Sequence, residues 1–299
     1  MTPLLDIRDL TLGIRVGKGE HRILHEVSFQ IMPGETYGLV GESGSGKSVT
    51  SLAIMGLLKK PLQVMGGQIL FQGRNLPELN RREMRAIRGG RIAMVFQEPM
   101  TALNPLMTVG NQIAEMYVQH QGKGRDEARR LAVEALASVR VPNPERRAGN
   151  YPHQMSGGLR QRVMIAMALA CDPALLIADE PTTALDVTVQ AEVLRLIRDL
   201  SAARGTAVLF ISHDLGVIAS MCQRVGVMYG GCLVEENEMR ALFTAPRHDY
   251  TRGLLGSLPR LGSRQEGARS RLVDIDSIIA DRSVLTQTRH IVPREGDKR

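Results

Sequence analysis

The amino-acid sequence predicts an α/β fold with a parallel central sheet, an antiparallel sheet beside it and an α-helical insertion. Three observations support this prediction. A short apolar strand at residues 37–40 runs through a glycine-rich loop into a helix. Several later apolar runs are short and continuous and end at a polar residue, as is typical of buried parallel strands. Between two of these runs, residues 98–173 have mainly helical periodicity.

The glycine-rich loop has the phosphate-binding pattern G-x-x-x-x-G-K-S in its strand-to-helix context. Glycines let the backbone turn tightly and point successive N–H groups inward, and the following helix adds the positive end of its dipole. We expect Lys47 to bridge the β- and γ-phosphates of a nucleotide and Ser48 to ligate a Mg²⁺ ion on the same phosphates. The predicted contacts in this loop are Gly41, Glu42, Ser43, Gly44, Ser45, Gly46, Lys47, Ser48 and Val49.

The composition is that of a globular protein with an aliphatic core. The chain has 299 residues, of which 43% are hydrophobic and 3% aromatic. No apolar run approaches the roughly 18 residues of a membrane-spanning helix, and residues 1–9 lack the features of a secretory signal, so we expect a cytosolic chain unless it is tethered. The cysteines, Cys171, Cys222 and Cys232, have no metal-ligand spacing and are expected to be reduced, structural thiols.

The net charge of +7 is compatible with an anionic partner such as nucleic acid or an acidic membrane surface. Arginines cluster at residues 80–91 and again after residue 261, but no aromatic residues alternate with them to stack on bases. We therefore interpret the charge as solvated surface, with some attraction to anionic lipid headgroups, and expect no direct contact with nucleic acid.

The N-terminal part of the chain predicts the antiparallel sheet. Residues 4–12 and 27–31 have strand-like patterns, and a Pro-Gly-Glu turn at residues 33–35 leads into the phosphate-loop strand. An adenine ring could lie against this sheet near residues 14–21. Because no aromatic residue occurs there, we expect an aliphatic platform or one that uses His21.

The next apolar strand is expected to end at a functional side chain. Residues 66–71 suggest a strand and residues 79–87 a helix. Residues 91–96 then form a buried strand that ends at Gln97. Polar residues at the carboxyl ends of parallel strands face the ligand crevice, so Gln97 could reach the Mg²⁺ ion or the attacking water.

The helical insertion contains a second candidate anion site. Residues 100–118 and 125–139 are predicted to be helices, and a further helix at residues 163–170 follows the sequence MSGGLRQR. Ser156 is a natural N-cap, and Gly157 and Gly158 leave N–H groups exposed at the helix start. Taken alone, this segment would read as an ordinary capped helix.

Two later strands end in groups that can act on a phosphate. The buried strand at residues 174–178 is followed by Asp179, predicted to hold Mg²⁺ together with Ser48, and by Glu180, predicted to polarise the attacking water. The strand at residues 208–212 is followed by His213, which could bond the γ-phosphate or be structural.

The remaining elements complete the predicted core. Residues 183–186 are expected to turn and residues 189–200 to form a helix. Residues 225–229 and 232–235 read as a hairpin joined at Gly230 and Gly231.

Five motifs, in this order, resemble those of the ATP-binding-cassette (ABC) ATPases: GESGSGKS, VFQEP, MSGGLRQR, LLIADEPTTALD and ISHD. The resemblance extends from residue 4 to about residue 258. The roles it implies are the Walker A loop for residues 41–48, the Q-loop glutamine for Gln97, the signature for Ser156, Gly157 and Gly158, the Walker B pair for Asp179 and Glu180, the D-loop residue for Asp186 and the switch histidine for His213.

This family resemblance implies a P-loop NTPase fold with a RecA-like parallel-sheet core. The nucleotide-binding core and antiparallel β subdomain would comprise residues 1–97 and 174–257. The helical signature subdomain would comprise residues 98–173, and residues 258–299 would form a C-terminal extension. The implied cofactors are ATP and Mg²⁺, with Ser48, Gln97 and Asp179 around the metal and Glu180, Gln97 and His213 in catalysis.

Longer matches, EPMTALNP, YPHQMSGGLRQRVMIAMALACDP, ADEPTTALDVTVQ and APRHDYTRGLL, resemble the oligopeptide, dipeptide and nickel importers. In such importers two ATPase subunits lie on the cytoplasmic face of two inner-membrane permease subunits, and an extracytoplasmic solute-binding protein delivers the cargo. Leu159, where many cassettes have Gln, resembles the first of two unlike ATPases. The implied cargo is a peptide, nickel or a related small solute.

The sequence departs from this subfamily at several positions. The adenine-stacking aromatic is missing, and Gln154 and Asp249 stand where Glu and Pro are expected. The tail after residue 261 contains no cysteine, so it cannot form the iron–sulfur segment of some relatives.

The resemblance also implies a shared mechanism. The signature of one subunit would close over the γ-phosphate held by a second subunit, and residues 99–107 would form a groove for a permease helix. The alternative is a soluble, non-transport ABC ATPase that acts on nucleic acid or ribosomes. Such proteins generally have two cassettes in one chain or long coiled-coil insertions, and neither is visible in this sequence.

Overall fold

The computed structural model describes residues 2–16, 19–183 and 185–257; the predicted extension at residues 258–299 lies outside them. The strands in chain order are β1 (Leu5–Val16), β2 (Gly19–Ile31), β3 (Thr36–Val40), β4 (Leu62–Phe71), β5 (Arg74–Asn75), β6 (Ile92–Val95), β7 (Leu175–Asp179), β8 (Ala207–Ser212), β9 (Arg224–Tyr229) and β10 (Cys232–Glu238). The helices are α1 (Lys47–Ile54), α2 (Arg81–Ile87), α3 (Pro99–Ala102), α4 (Val109–Gln121), α5 (Arg125–Ser138), α6 (Pro144–Ala148), α7 (Gly157–Leu169), α8 (Val187–Arg204), α9 (Leu215–Met221), α10 (Met239–Thr244) and α11 (Asp249–Gly256).

The central sheet has the strand order β10-β9-β3-β8-β7-β6. Its neighbours pair in parallel from β9 to β6, and β10 pairs with β9 as the antiparallel hairpin that the sequence predicts. Every residue of β6, β7 and β8 is buried, which explains why these strands appear as continuous apolar runs in the sequence. The carboxyl ends of β3, β6, β7 and β8 therefore meet at one edge of the sheet.

The second sheet is antiparallel, with the order β2-β1-β4-β5. Leu5 pairs with both Ile31 and Phe71, so β1 lies in the middle. The first two strands are longer than the sequence predicted, because their pairing continues to Val16 opposite Gly19. The exposed polar ends of this hairpin lack the alternation that identifies strands in sequence.

The helices α3 to α7 lie between β6 and β7 in the chain. The single helix predicted over residues 100–118 is wrong in its first half: α3 ends at Ala102, and α4 begins after Thr108. Pro105 explains the break, because proline lacks an N–H group and disfavours helical geometry in the residue before it. The buried side chain of Gln112 holds the intervening loop. Its Oε1 accepts from the backbone N–H of Asn104, and its Nε2 donates to the backbone carbonyl oxygen of Asn104.

Two aliphatic clusters pack on opposite faces of the central sheet. Alternate residues separate them: Leu176 and Ala178 join the cluster that includes α4, α5 and α7, whereas Leu175 and Ile177 join the cluster under the antiparallel sheet. The helical segment thus shares a core with the sheet. Cys171, Cys222 and Cys232 are free thiols, as predicted.

Candidate functional site

A cavity of about 620 Å³ lies at the carboxyl edge of the central sheet. Most of the predicted phosphate-loop and catalytic residues line it: Gly41, Glu42, Ser43, Gly44, Gly46, Lys47, Ser48, Val49, Gln97, Glu180 and His213. Ser45 and Asp179 are buried beside it and bond Lys47 and Ser48. Ile23 and Leu254 also line the cavity, and the sequence did not identify either of them.

The phosphate loop depends on its glycines for backbone conformation and close packing. Gly41, Gly44 and Gly46 have φ angles of 150°, 82° and 105°, in the region that favours glycine. A Cβ at Gly41 would lie 2.1 Å from the Met228 carbonyl oxygen. A Cβ at Gly44 would meet no atom within 4 Å, so the loop is open on that side. The loop therefore forms an open turn just before α1.

Lys47 places a buried cation inside this turn. Its ammonium group donates to the carbonyl oxygens of Gly41 and Glu42, each at 2.7 Å, and to Ser45 Oγ at 3.2 Å. Burial lowers the pKa of Lys47, and the nearby carboxylates of Glu180 and Asp179 oppose that shift. A buried ammonium at the start of a helix is a suitable site for phosphate groups.

Ser48 and Asp179 place a hydroxyl and a carboxylate close together. Ser48 Oγ donates to Asp179 Oδ1 at 3.0 Å, and Ser51 Oγ donates to Oδ2 at 3.2 Å. Burial raises the pKa of Asp179, while the two serine hydrogen bonds and Lys47 act in the opposite direction. A hydroxyl and a carboxylate at this distance are the ligand types that Mg²⁺ prefers.

The carboxylate of Glu180 is the meeting point of the predicted catalytic residues. Gln97 Nε2 donates to Oε2 at 3.1 Å, and His213 Nδ1 lies 3.1 Å from Oε1. Thr183 Oγ1 also donates to Oε2, at 3.0 Å. The sequence predicted only a turn at Thr183. Its position three residues after Glu180, across Pro181, was the available signal.

The signature residues lie outside this cavity in their own chain. Ser156 N-caps α7 as predicted, accepting a bond from the Leu159 N–H group at 3.4 Å, and both Ser156 and Gly157 are exposed. Gly157 instead lines a second cavity, of about 200 Å³, which shares Gln97 with the first. Buried Gln161, one turn into α7, donates to the Pro181 carbonyl oxygen at 2.5 Å.

The predicted adenine region is only partly as expected. His21 is exposed and does not line the large cavity, whereas Ile23, two residues further along β2, does. Among the described residues, no Phe, Tyr or Trp side chain lines the cavity. The prediction of an aliphatic platform therefore fits better than one based on His21.

A phosphate loop after β3, a carboxylate pair at the end of β7 and single polar residues after β6 and β8 define a P-loop ATPase of the cassette type. The chain belongs to the ABC transporter family, whose family model matches residues 24–183. A second model, for the C-terminal region of oligopeptide/dipeptide transporters, matches residues 234–278.

Individual relatives agree with this family. A probable peptide ABC transporter ATP-binding protein of Sinorhizobium fredii is 55% identical over 92% of this chain and 82% of its own length. The oligopeptide transport ATP-binding protein OppD of Bacillus subtilis is 50% identical over 89% of this chain and 75% of its own length. These similarities confirm the predicted resemblance to oligopeptide and dipeptide importers and ATP hydrolysis as the activity.

Solved structures support the fold. The dimeric post-hydrolysis structure of the ATP-binding cassette MJ0796, with ADP and Pi, has a TM-score of 0.70 and 29% identity and covers 79% of this chain and 99% of that chain. The predicted P-loop fold is thus confirmed. Within the described residues, no helix has the length and apolar character needed to cross a membrane.

Proposed function

We propose that this chain is the ATP-hydrolysing subunit of a membrane importer that takes up peptides. The observation that carries the proposal is the convergence of Gln97, Thr183 and His213 on the Glu180 carboxylate beside a phosphate loop. The relatives above are described as peptide or oligopeptide transport proteins. Nickel, which the sequence resemblance also implied, is the second candidate cargo. None of the relatives named above is described as acting on nucleic acid.

Magnesium would be held by single ligands from different elements. Ser48 Oγ and the Asp179 carboxylate are the proposed protein ligands, and Gln97 lines the same cavity. No group of three or more His, Cys, Asp or Glu side chains suited to a metal occurs in the part of the chain that the structure describes. The Ser48 hydroxyl and the Asp179 carboxylate are few protein ligands, which fits a Mg²⁺ ion that is also bound by phosphate oxygens. When bound, the ion would neutralise charge on those oxygens.

The protein's own residues divide the remaining work of hydrolysis. The loop N–H groups and Lys47 would bind the phosphates. Glu180 would accept a hydrogen bond from the attacking water, with Gln97 and Thr183 fixing its carboxylate. His213, which directly follows β8, would bond the γ-phosphate and relay its presence to the rest of the chain.

A second ATPase subunit would complete the site. Ser156, Gly157 and Gly158 do not line their own nucleotide cavity, and the exposure of Ser156 and Gly157 leaves them accessible to another cassette. The dimeric state of the MJ0796 cassette supports this arrangement. We propose that the partner is a related but unlike ATPase, and that residues 98–173 act as the signature subdomain against a core formed by residues 1–97 and 174–257.

Two permease subunits and an extracytoplasmic solute-binding protein are the other proposed partners. Residues 99–107 expose Met100 and Leu106, which are 48% and 85% exposed. Met100 lies in the short helix α3 and Leu106 in the loop that follows it, and exposed large apolar side chains of this kind are suited to contact with a partner helix. The chain would then lie peripherally on the cytoplasmic face of the inner membrane.

Substitution of Glu180 by Gln tests the proposed function. The Glu180→Gln variant should bind ATP normally but lose steady turnover in the assembled transporter, by about 100-fold or more, because Gln cannot act as a base. The purified wild-type chain should show little ATPase activity until its partners are added. Normal turnover by the variant, or strong activity of the isolated monomer, would contradict the proposal.

A further inference from the structure

The C-terminal helix α11 reaches the phosphate loop. The backbone N–H of Glu42 donates to the hydroxyl oxygen of Tyr250 at 3.1 Å. Leu254, four residues later and thus on the same face of the helix, lines the nucleotide cavity. One face of α11 therefore meets both the loop and the cavity.

Buried groups fix the position of α11. The carboxylate of Glu235, which is 2% exposed, accepts bonds from the N–H groups of Arg247 at 3.0 Å and His248 at 2.9 Å. His248 Nδ1 then caps the helix by accepting from Tyr250 N at 3.1 Å. The Tyr250 ring packs against Tyr229 with centroids 4.4 Å apart. The helix is thus held by the central sheet and does not simply trail from it.

The hydroxyl of Tyr250 is suited to a lasting structural contact. The side chain is 1% exposed, and burial raises its pKa to about 12, so the group stays neutral at physiological pH. Its oxygen accepts from the Glu42 N–H at the start of the phosphate loop, and Lys47 donates to the carbonyl oxygens of Gly41 and Glu42 in the same segment. Tyr250 and Lys47 therefore fix the same peptide segment.

The cavity is lined by both polar and aliphatic side chains. Lys47 and Glu180 are among the polar ones, and phosphates would bind near Lys47. The large aliphatic lining residues are Ile23, Val49 and Leu254, and Val49 lies in the first turn of α1, next to Ser48. Ile23 and Leu254 remain for a flat, apolar ligand group, which a purine ring supplies.

We propose that α11 is a wall of the nucleotide pocket. Leu254, together with Ile23, contacts the adenine ring, and Tyr250 holds the phosphate loop from behind. This assignment rests on the proposed ATP binding and gives the region matched by the C-terminal transporter model a role in the site. It explains how adenine is bound without an aromatic platform.

Leu254→Ala tests the contact with the base, and Leu255→Ala is the matched control. Leu255 is the next residue of the same helix and is also half-buried, but it does not line the cavity. Calorimetric titration of the full chain with Mg-ATP and with tripolyphosphate separates base from phosphate binding. We expect Leu254→Ala to weaken ATP binding by about fivefold and to leave tripolyphosphate binding unchanged. Leu255→Ala should change neither.

Tyr250→Phe tests the contact with the loop. It removes one hydroxyl and keeps the ring, so it should weaken ATP and tripolyphosphate equally, by roughly threefold, with the phosphate loop loosened. The inference is overturned if Leu254→Ala weakens ATP and tripolyphosphate binding equally, or if Leu255→Ala weakens ATP binding as much as Leu254→Ala does. It is also overturned if Leu254→Ala, or Tyr250→Phe, leaves both affinities unchanged. The proposed function fails separately if Lys47→Ala leaves ATP binding of the otherwise native chain intact.

Discussion

Glu180 combines a strained backbone with a well-bonded side chain. Its φ of 47° lies in the left-handed region, which costs a non-glycine residue roughly 1 kcal/mol. A backbone bond to the Ile211 carbonyl oxygen at 2.9 Å helps to keep it there. Such strain is common at functional sites, and here it directs the carboxylate toward Gln97, Thr183 and His213.

Thr183 is expected to position Glu180. Thr183→Ala should lower steady ATP turnover of the assembled transporter by about fivefold with little change in KM, because Thr183 does not line the cavity. Thr183→Ser keeps the hydroxyl and should restore turnover. Thr188→Ala, an exposed threonine in α8, is the control. Wild-type turnover in Thr183→Ala, or failure of Ser to rescue it, would contradict this role.

Asp179 should oppose folding at neutral pH. Burial raises its folded-state pKa above the ordinary value of 3.8, so folding favours the protonated form, and stability is lost as pH rises through the raised pKa. Asp179→Asn removes this loss and should raise the unfolding temperature by a few degrees while abolishing ATP turnover. In thermal unfolding without nucleotide, the difference in unfolding temperature between Asp179→Asn and the wild type should be larger at pH 7.5 than at pH 4, close to the ordinary pKa of 3.8. A difference that becomes smaller as pH rises would show that Asp179 does not oppose folding in this way.

At the scale of elements, the turn between β9 and β10 supports the phosphate loop. The Gly231 N–H donates to the Ser45 carbonyl oxygen at 3.2 Å, and the Gly231 carbonyl accepts from His25 N at 2.9 Å. Gly231 has a φ of 82°, and a Cβ there would lie 2.1 Å from the Ile23 carbonyl oxygen. The turn thus joins the antiparallel sheet to the nucleotide site.

Gly231→Ala should therefore be costly. We expect a loss of about 3 kcal/mol in the free energy of unfolding, from the left-handed φ and the backbone collision together, with weaker ATP binding as Ile23 shifts. Gly73→Ala is the matched control, because Gly73 has a φ of 78° but open space around it, and it should cost about 1 kcal/mol. Urea unfolding of both variants measures the difference. Equal losses would show that the collision is unimportant.

The elements also show what sequence can and cannot predict here. The strands β7 and β8 were predictable because burial on both faces leaves continuous apolar runs. The break before α4 was also predictable, because Pro105 disfavours helical geometry in the residue before it. The contact between Glu42 and Tyr250 joins residues 208 positions apart, and no local pattern indicates such a pairing.

At the scale of the whole molecule, the fold explains why the site was largely predictable. Parallel strands place their carboxyl ends together, so Gln97, Glu180 and His213 had to converge once the strands were assigned. Whether Gly157 lies at the nucleotide cavity of its own chain depends on the distance between α7 and the phosphate loop, and no sequence pattern indicates that distance. In the folded chain Gly157 lies in a second cavity, beside Gln97.

We propose that this chain supplies half of each of two nucleotide sites. The decisive experiment is Gly157→Glu, measured for ATP binding in the isolated chain and for ATP turnover in the assembled transporter. We predict unchanged ATP affinity in the isolated chain, because Gly157 does not line its cavity, and at least about 100-fold lower turnover in the assembly, because the glutamate would repel the partner's phosphates. Loss of ATP binding in the isolated chain, or normal turnover in the assembly, would show that Gly157 does not act at the nucleotide of a partner subunit.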